Sequence, residues 1–341
     1  MLTKLKSLVS SLNCDIGIDL GTANTVVYMN QKGIVLREPS VVAIDKKTEH
    51  VLAIGAEAQK MVGRTPGSII AVRPMKDGVI ADYATTEAMI QTFIKKILSK
   101  PRLSQPRILI GIPYGITNVE RRAILDAARS SSRNKVYLVD EPMAAAVGAN
   151  IDVENPQGEM IVDIGGGTTE VAVISMGSIV VSESIRVAGD EFDEAIISFC
   201  RKTHQLLIGS QMSEKIKINI GSATPFDKER SMSITGRDLM TGLPRKVTIE
   251  SDDIRGALRE PITRILHALR RTLERTPPEL SSDIVHNGLL LTGGGSLLHG
   301  LDTLFQEEVH ISVRMAEDPL SCVALGTGKI LSQMSVWSKR L

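Results

Sequence analysis

The sequence predicts an α/β protein built twice over, and three observations predict it. A hairpin of one pattern occurs in each half. CDIGIDLGTANTVVYM (Cys14 to Met29) and EMIVDIGGGTTEVAVIS (Glu159 to Ser175) superpose with Asp19 on Asp163, Leu20 on Ile164, Gly21 on Gly165 and Thr25 on Thr169. Both read apolar strand, Asp, apolar residue, Gly, short polar turn, apolar strand. Their spacing of about 144 residues implies a duplicated domain rather than a chance turn. Strands alternate with helices along both halves, which is the pattern of an α/β sheet. At 341 residues and 43% hydrophobic, the chain has enough apolar material for two cores of ordinary size.

The elements follow in order. MLTKLKSLVSSL opens the chain. At 100° per residue, Met1, Leu2, Leu5, Leu8, Val9 and Leu12 share an arc of roughly 120° with Lys4 and Lys6 outside it. That is the pattern of an amphipathic helix for a membrane surface; the plainer alternatives are an arm packed on the protein's own surface or a disordered segment. The first hairpin comes next, then β-rich segments at Gly33 to Ile44 and Val51 to Gly55, and a helix around Thr85 to Ser99. Ile108 to Ile112 is a buried strand closed by Pro113. Thr117 and Glu120 form a T-x-x-E capping box that opens a helix through about Ser130. Val136 to Val139 is a short strand, and Pro142 opens a helix at an early position, where its missing N–H is harmless.

The second half repeats the scheme, with hairpins from Met160 to Val187 and a helix from about Asp190 to Leu207 that turns Phe192, Ile196, Phe199 and Thr203 to one face. Ser251, Asp252 and Asp253 are expected to cap a long helix carrying Ile254, Leu258, Ile262, Ile265, Leu269 and Leu273, with a kink at Pro261. Leu289 to Thr292 is a strand that runs into Gly293, Gly294 and Gly295 and then a helix.

Composition excludes several function classes. Lys and Arg total 40 against 39 Asp and Glu, so no overall field draws the chain to nucleic acid. Aromatics at 3% leave few platforms for stacking bases. Cys14, Cys200 and Cys322 are far apart and outside any zinc spacing, so a reducing cytoplasm is expected. No apolar run approaches the roughly 18 residues of a membrane span, and no signal-peptide pattern opens the chain. A protein neither secreted nor membrane-spanning is expected.

The chemistry gathers at three glycine-rich turns at strand ends: Gly21-Thr22, Gly165-Gly166-Gly167-Thr168 and Gly293-Gly294-Gly295-Ser296. Glycines there can be plain turn formers, or they can let successive N–H groups face one concavity and meet phosphate oxygens. A duplicated domain also has a cleft between its copies, and such clefts are favoured ligand sites. Asp19 and Asp163 stand before the first two turns; an Asp there is commonly a turn former, or one of the one or two carboxylates that a Mg²⁺ keeping most of its waters needs.

These residues carry a family resemblance. Asp19 to Thr22, Asp140-Glu141-Pro142-Met143-Ala144-Ala145-Ala146, Asp163 to Glu170 and Leu291 to Gly295 resemble the phosphate, connecting and adenosine motifs of the actin, sugar-kinase and heat-shock-chaperone superfamily. The longer stretches EPMAAA, VDIGGGTTEVAVIS, EKIKINIGSA and AEDPL resemble one branch, the bacterial actins of the MreB family, from about Asp15 to Gln333. The resemblance implies an actin-like fold of duplicated ribonuclease-H-like domains, each with a small inserted subdomain. On this reading 1–12 is the membrane-binding segment, 13–157 the first lobe and 158–335 the second, with a C-terminal helix at about 322–335 returning towards the first.

The same resemblance implies ATP and Mg²⁺ as cofactors. Asp19 and Asp163 would hold metal-bound water, with Thr22, Ala23 and Asn24 meeting the phosphates from one lobe and Gly165, Gly166, Gly167 and Thr168 from the other. Glu214 and Lys217, one helical turn apart, would bracket the nucleoside, and Gly293, Gly294 and Gly295 would approach it. Glu141 and Asp163 are the candidate catalytic residues, Glu141 orienting the attacking water; a helix-start Glu favoured by the dipole is the plainer reading of Glu141. Tyr114 departs from the family pattern, where a small aliphatic residue is commoner.

The function this implies is an ATP-switched, homopolymeric cytoskeletal filament of paired protofilaments with slow, assembly-coupled ATP hydrolysis. It would lie on the inner face of the cytoplasmic membrane, organising peptidoglycan synthesis and cell shape or division with membrane proteins of that machinery. Segment 1–12 would dominate attachment, because the loop Ser99 to Arg107 offers only Leu103. A small-molecule kinase of the same fold would need an acceptor pocket and a base, neither legible here. A chaperone ATPase would need a further substrate-binding domain.

Overall fold

The computed structural model describes residues 15–98, 106–129 and 135–337. They form two compact units. The first comprises the chain up to Asn155, Met176–Ser178 and the chain from Leu320 on; the second comprises Pro156–Ser175 and Ile179–Pro319. The amphipathic stretch with Met1, Leu2, Leu5, Leu8, Val9 and Leu12 lies outside the described residues, as do Cys14 and Leu103.

The first unit is built on a five-stranded sheet in the spatial order Lys135–Asp140, Arg107–Ile112, Ile16–Leu20, Asn24–Met29, Gly33–Pro39. Ile16–Leu20 pairs antiparallel with its hairpin mate on one side and parallel with Arg107–Ile112 on the other. Ile108, Leu109, Ile110 and Ile112 are all fully buried, which explains why that strand is a continuous apolar run: both faces of a parallel strand are covered. On one face Ile16, Ile18, Ile108 and Ile110 pack with Met89, Ile90, Phe93, Ile124 and Ala127, from helices Tyr83–Ile97 and Asn118–Arg129. Asp82 caps the first of these by accepting the Thr85 N–H at 2.7 Å. The expected capping box opens the second: Thr117 donates its N–H to Glu120 at 2.7 Å, and Glu120 returns its N–H to the Thr117 hydroxyl at 3.2 Å.

On the other face lies helix Cys322–Ser332. Gly17 has no side chain because that helix leaves no room. A Cβ there would stand 2.1 Å from Thr327 Oγ1.

The second unit repeats the plan in the order Ser178–Ile185, Thr169–Ser175, Glu159–Ile164, Leu289–Thr292, Val313–Met315. Its central strand again pairs antiparallel with its hairpin mate and parallel with the strand on the other side. Each large sheet carries a smaller three-stranded one inserted between its third and fourth strands in sequence. In the first unit the order is Val51–Ile54, Val42–Asp45, Ile69–Val72, and in the second Leu206–Leu207, Ser231–Asp238, Pro244–Glu250.

Three local expectations for the second unit differ in detail. Helix Gly189–His204 buries Phe192, Ile196 and Cys200, while Thr203 is exposed; the buried stripe follows i, i+4, i+8, so Cys200 takes the place given to Thr203. Ser251 begins helix Ser251–Arg275 but does not cap it, because its hydroxyl bonds Glu229 and accepts the Arg230 N–H at 2.8 Å. That helix also runs unbroken through Pro261. Among the described residues no helix is long and apolar enough to cross a membrane.

Candidate functional site

Each unit carries a half-site at its hairpin turn, and each turn is held in the same electrical sense by different residues. In the first unit Ser40 holds the turn. Its hydroxyl donates to the Gly21 carbonyl at 2.7 Å and its N–H to the Ala23 carbonyl at 3.0 Å. Thr25 Oγ1 lies 2.9 Å from the same hydroxyl. With these carbonyls drawn to Ser40, the turn's own N–H groups are left for the opposite side. Gly21 must be glycine, since a Cβ would stand 2.7 Å from the Asn24 carbonyl. Thr22 is buried, and its hydroxyl accepts the Gly78 N–H at 3.1 Å, so its side chain anchors the neighbouring turn. Asn24 is exposed.

In the second unit a helix N-terminus does the work of Ser40. The carbonyls of Gly165 and Gly166 accept the N–H groups of Gly189 and Asp190 at 3.1 and 2.7 Å. Gly165 donates its own N–H to Thr168 across the turn at 2.9 Å. Thr169 next to it is fixed by a 2.6 Å bond to the Val187 carbonyl.

The acidic residues fall at the strand ends. In the first sheet Asp19 stands beside Gly111 in the parallel pair. Ile18 and Leu20 point into the core under helices Tyr83–Ile97 and Asn118–Arg129, so alternation turns Asp19 to the other face with Gly17. Glu141 opens helix Glu141–Gly148 and is buried. A Cβ on Gly111 would lie 3.3 Å from Glu141 Cγ and 2.8 Å from Val323 Cγ1, so Glu141 is stacked over Gly111, at the same end of the sheet as Asp19.

In the second sheet Asp163 is buried and accepts the Thr292 hydroxyl at 3.1 Å. Burial raises its pKa to about 6 against an ordinary 3.8, and the Thr292 bond pulls the other way. No cation pairs with it among the described residues. A desolvated carboxyl of this kind suits a divalent ion that brings its own water shell. Among the described residues no group of three or more His, Cys, Asp or Glu side chains converges as a metal cage, and a Mg²⁺ held through one or two carboxylates needs none.

The third glycine run lies against the same strand end. Gly293 has φ +81°, and a Cβ on it would stand 2.2 Å from the Ile164 carbonyl and 2.5 Å from Asp163 Oδ1. A Cβ on Gly295 would meet Ile164 Cγ2 at 2.5 Å. Gly294–Leu297 is a single 3-10 turn rather than the start of the expected helix, which follows as Leu301–Val309.

Lys217 reaches the Gly189 carbonyl and Asp193, each at 2.9 Å. Burial raises the Asp193 pKa, with the Lys217 ammonium opposing but not cancelling the rise. Lys217 therefore pairs with Asp193 and not with Glu214, which is exposed on the same helix. A groove of about 370 Å³ in the first unit, lined by Met29, Lys32, Leu36 and Ile97 among others, shares no residue with either half-site.

The family model for the MreB/Mbl protein matches residues 13–339. The chain belongs to the MreB/Mbl family. It is 52% identical over 326 residues to the cell shape-determining protein Mbl of Bacillus subtilis (strain 168), covering 96% of this chain and 98% of that one. It is 51% identical over 341 residues to the cell shape-determining protein MreB of Escherichia coli (strain K12), covering 98% and 97%. Among solved structures, MreB5 of Spiroplasma citri bound to AMPPNP superposes with a TM-score of 0.89 at 39% identity, covering 96% of this chain and 98% of that one. The MamK double helical filament gives 0.80 at 19% identity, covering 94% and 99%, a likeness of fold. The actin-like fold expected for an MreB/Mbl chain is the one observed.

Within each unit the expected residues gather: Asp19, the Gly21 turn and Glu141 in the first, and Asp163, Gly165–Thr168, Gly293–Gly295 and Lys217 in the second. Sequence reasoning missed Ser40, Gly111, Gly189 and Asp193. Only Gly189 carries a local signal, a glycine that opens the acidic first turn of a helix.

Proposed function

We propose that this MreB/Mbl chain binds ATP with Mg²⁺, polymerises in the bound state as paired protofilaments, and hydrolyses the nucleotide slowly as an assembly switch. The observation that carries the reading is the pair of hairpin turns whose carbonyls are tied back, leaving N–H groups for phosphate oxygens. MreB5 bound to AMPPNP supports the choice of nucleotide, and the MamK filament supports self-association.

In this reading Thr22, Ala23 and Asn24 meet phosphate oxygens in the first unit, and Gly166 to Thr168 do so in the second, with Gly165 closing the turn through its N–H to Thr168. Asp19 and Asp163 hold the metal mainly through water. Gly293 to Gly295, Glu214 and Lys217 approach the nucleoside, Lys217 with its charge already steadied by Asp193. The Mg²⁺ supplies charge neutralisation at the phosphates. Glu141 orients a water at the γ-phosphate, the one task a carboxylate usefully performs in phosphoryl transfer.

The filament acts at the inner face of the cytoplasmic membrane, attached through Met1 to Leu12, where it organises peptidoglycan synthesis and cell shape or division with membrane proteins of that machinery. The names of the Mbl and MreB relatives support the cell-shape role. Attachment is weak for one subunit and strong for a filament that presents many copies.

Electron microscopy of purified protein with Mg²⁺-ATP, with and without anionic liposomes, tests the whole reading. Filaments above a critical concentration, aligned on liposomes, are expected. Turnover that needs a small-molecule acceptor and shows no critical concentration would instead mark a kinase of the same fold.

A further inference from the structure

Helix Glu141–Gly148 is tied at its C-terminal end to helix Cys322–Ser332. At its C-terminal end Lys329 Nζ donates to the Val147 carbonyl at 3.1 Å, the Gly148 carbonyl at 2.8 Å and Asn150 Oδ1 at 2.6 Å. Three donors are all an ammonium has, and two are spent on the last carbonyls of the helix, where a cation is favoured. Asn150, with φ +65°, ends the helix in the left-handed region. Burial lowers the Lys329 pKa below the ordinary lysine value.

Over its second half, from Ala144 to Gly148, the helix crosses Cys322–Ser332 with almost nothing between the two backbones. A Cβ on Gly326 would stand 1.7 Å from the Ala144 carbonyl, and one on Gly148 would stand 1.8 Å from the Cys322 carbonyl. Near the other end Val323 shares the space over Gly111 with Glu141. Helix Cys322–Ser332 also lies on Gly17, in the strand that carries Asp19.

We propose that Lys329 is a positioning residue for ATP hydrolysis, fixing Glu141 along the axis of its helix by holding the opposite end of that helix. The proposal rests on Glu141 orienting the attacking water. An eight-residue helix is about 12 Å long, and it moves as one body because its crossing with the second helix leaves no side chain to absorb a shift. Freeing its last turn lets that body slide. A displacement of about 1 Å at a reacting group is worth as much as 10²-fold in rate, so a partial loss of about tenfold is expected.

The experiment compares the full chain with Lys329→Met, Lys329→Arg, Glu141→Gln and the double variant Lys329→Met/Glu141→Gln. It reads phosphate release from filaments at saturating Mg²⁺-ATP, ATP affinity by titration, and thermal midpoint. Lys329→Met should slow release about tenfold with ATP affinity within about twofold. Lys329→Arg, which still donates to carbonyls, should recover most of the rate. On the Glu141→Gln background Lys329→Met should add less than about twofold, because the group it positions is already disabled.

A full tenfold loss on both backgrounds would make Lys329 merely structural and overturn the proposal, as would wild-type release in Lys329→Met. Glu141→Gln at the wild-type rate would remove the role of Glu141 and this proposal with it, which separates that failure from a failure of Lys329 alone. Should the methionine variant not assemble, Lys329→Gln, whose shorter uncharged amide cannot reproduce the three bonds of the ammonium, carries the same comparison.

Discussion

Asp163→Asn should make the nucleotide-free protein more stable while making it a worse binder. The asparagine keeps the shape of the side chain and can still accept the Thr292 hydroxyl, but it removes a charge that burial disfavours. In the wild type the folded pKa is about 6 against an ordinary 3.8. Between those values the folded state holds a proton that the unfolded state has released. The stability this group contributes is therefore fully present below pH 3.8 and is lost as pH rises through about 6. The step is worth about 3 kcal/mol in all, of which roughly half falls between pH 5 and pH 8.

The variant has no such group, so its advantage over wild type should widen by about 1–2 kcal/mol from pH 5 to pH 8. A buried amide left short of a partner costs about 1–3 kcal/mol, but that offset does not depend on pH, so the change in the gap is the quantity to read. Urea unfolding of both proteins, stripped of nucleotide and kept in chelator, measures it. A gap that stays constant from pH 5 to pH 8 would refute the reasoning and leave Asp163 ionised in the folded chain at all these pH values. Mg²⁺-ATP titration completes the test: stability should rise as affinity falls, and unchanged affinity would remove Asp163 from the site.

Glu141→Ala should form filaments that release phosphate at least ~30-fold more slowly, about 2 kcal/mol of barrier; release at the wild-type rate within filaments sinks its role. Gly293→Ala combines φ +81° with a Cβ 2.2 Å from the Ile164 carbonyl, so it should lose at least about 2 kcal/mol of stability, and an unchanged urea midpoint would contradict that. Leu5→Asp with Leu8→Asp removes roughly 1.5–3 kcal/mol of burial per side chain and adds charge that anionic lipid repels. Co-sedimentation with anionic liposomes in ATP should fall almost to nothing while ATP binding persists, and a double variant that pellets like wild type would make Met1 to Leu12 a surface arm only.

What the sequence made legible was local in character. The two hairpins could be found because each packs an Asp, a glycine and two apolar strands into about sixteen residues, and a strand buried on both faces, such as Arg107–Ile112, has little choice but to be apolar. Capping at Thr117 was legible for the same reason, since donor and acceptor are three residues apart. The partners of the turns were not. Ser40 reaches Gly21 from nineteen residues away and Lys217 reaches Asp193 from twenty-four, and neither pair leaves a periodic mark. Ser251 reads as a helix cap because its type and position fit one. Its hydroxyl is instead taken by Glu229 and the Arg230 N–H, which come from a loop that a sequence window does not connect to it.

The two turns show what the duplication repeats. Gly21 and Gly165 occupy matching positions, yet a serine draws in the carbonyls of one turn and the N-terminus of a helix draws in those of the other. The donors differ, while in both turns the carbonyl of the matching glycine is taken by a group outside the turn. A glycine alone would let the peptides of a turn face either way, which is why a lone glycine run is weak evidence of a phosphate site. The donor on the far side removes that freedom: an N–H or hydroxyl offered to the carbonyls fixes the remaining N–H groups in the opposite sense before any ligand arrives, so binding an anion there requires little reorganisation. By this argument Ser40 and Gly189 belong to the half-sites as much as the glycines do, although neither needs to touch a ligand.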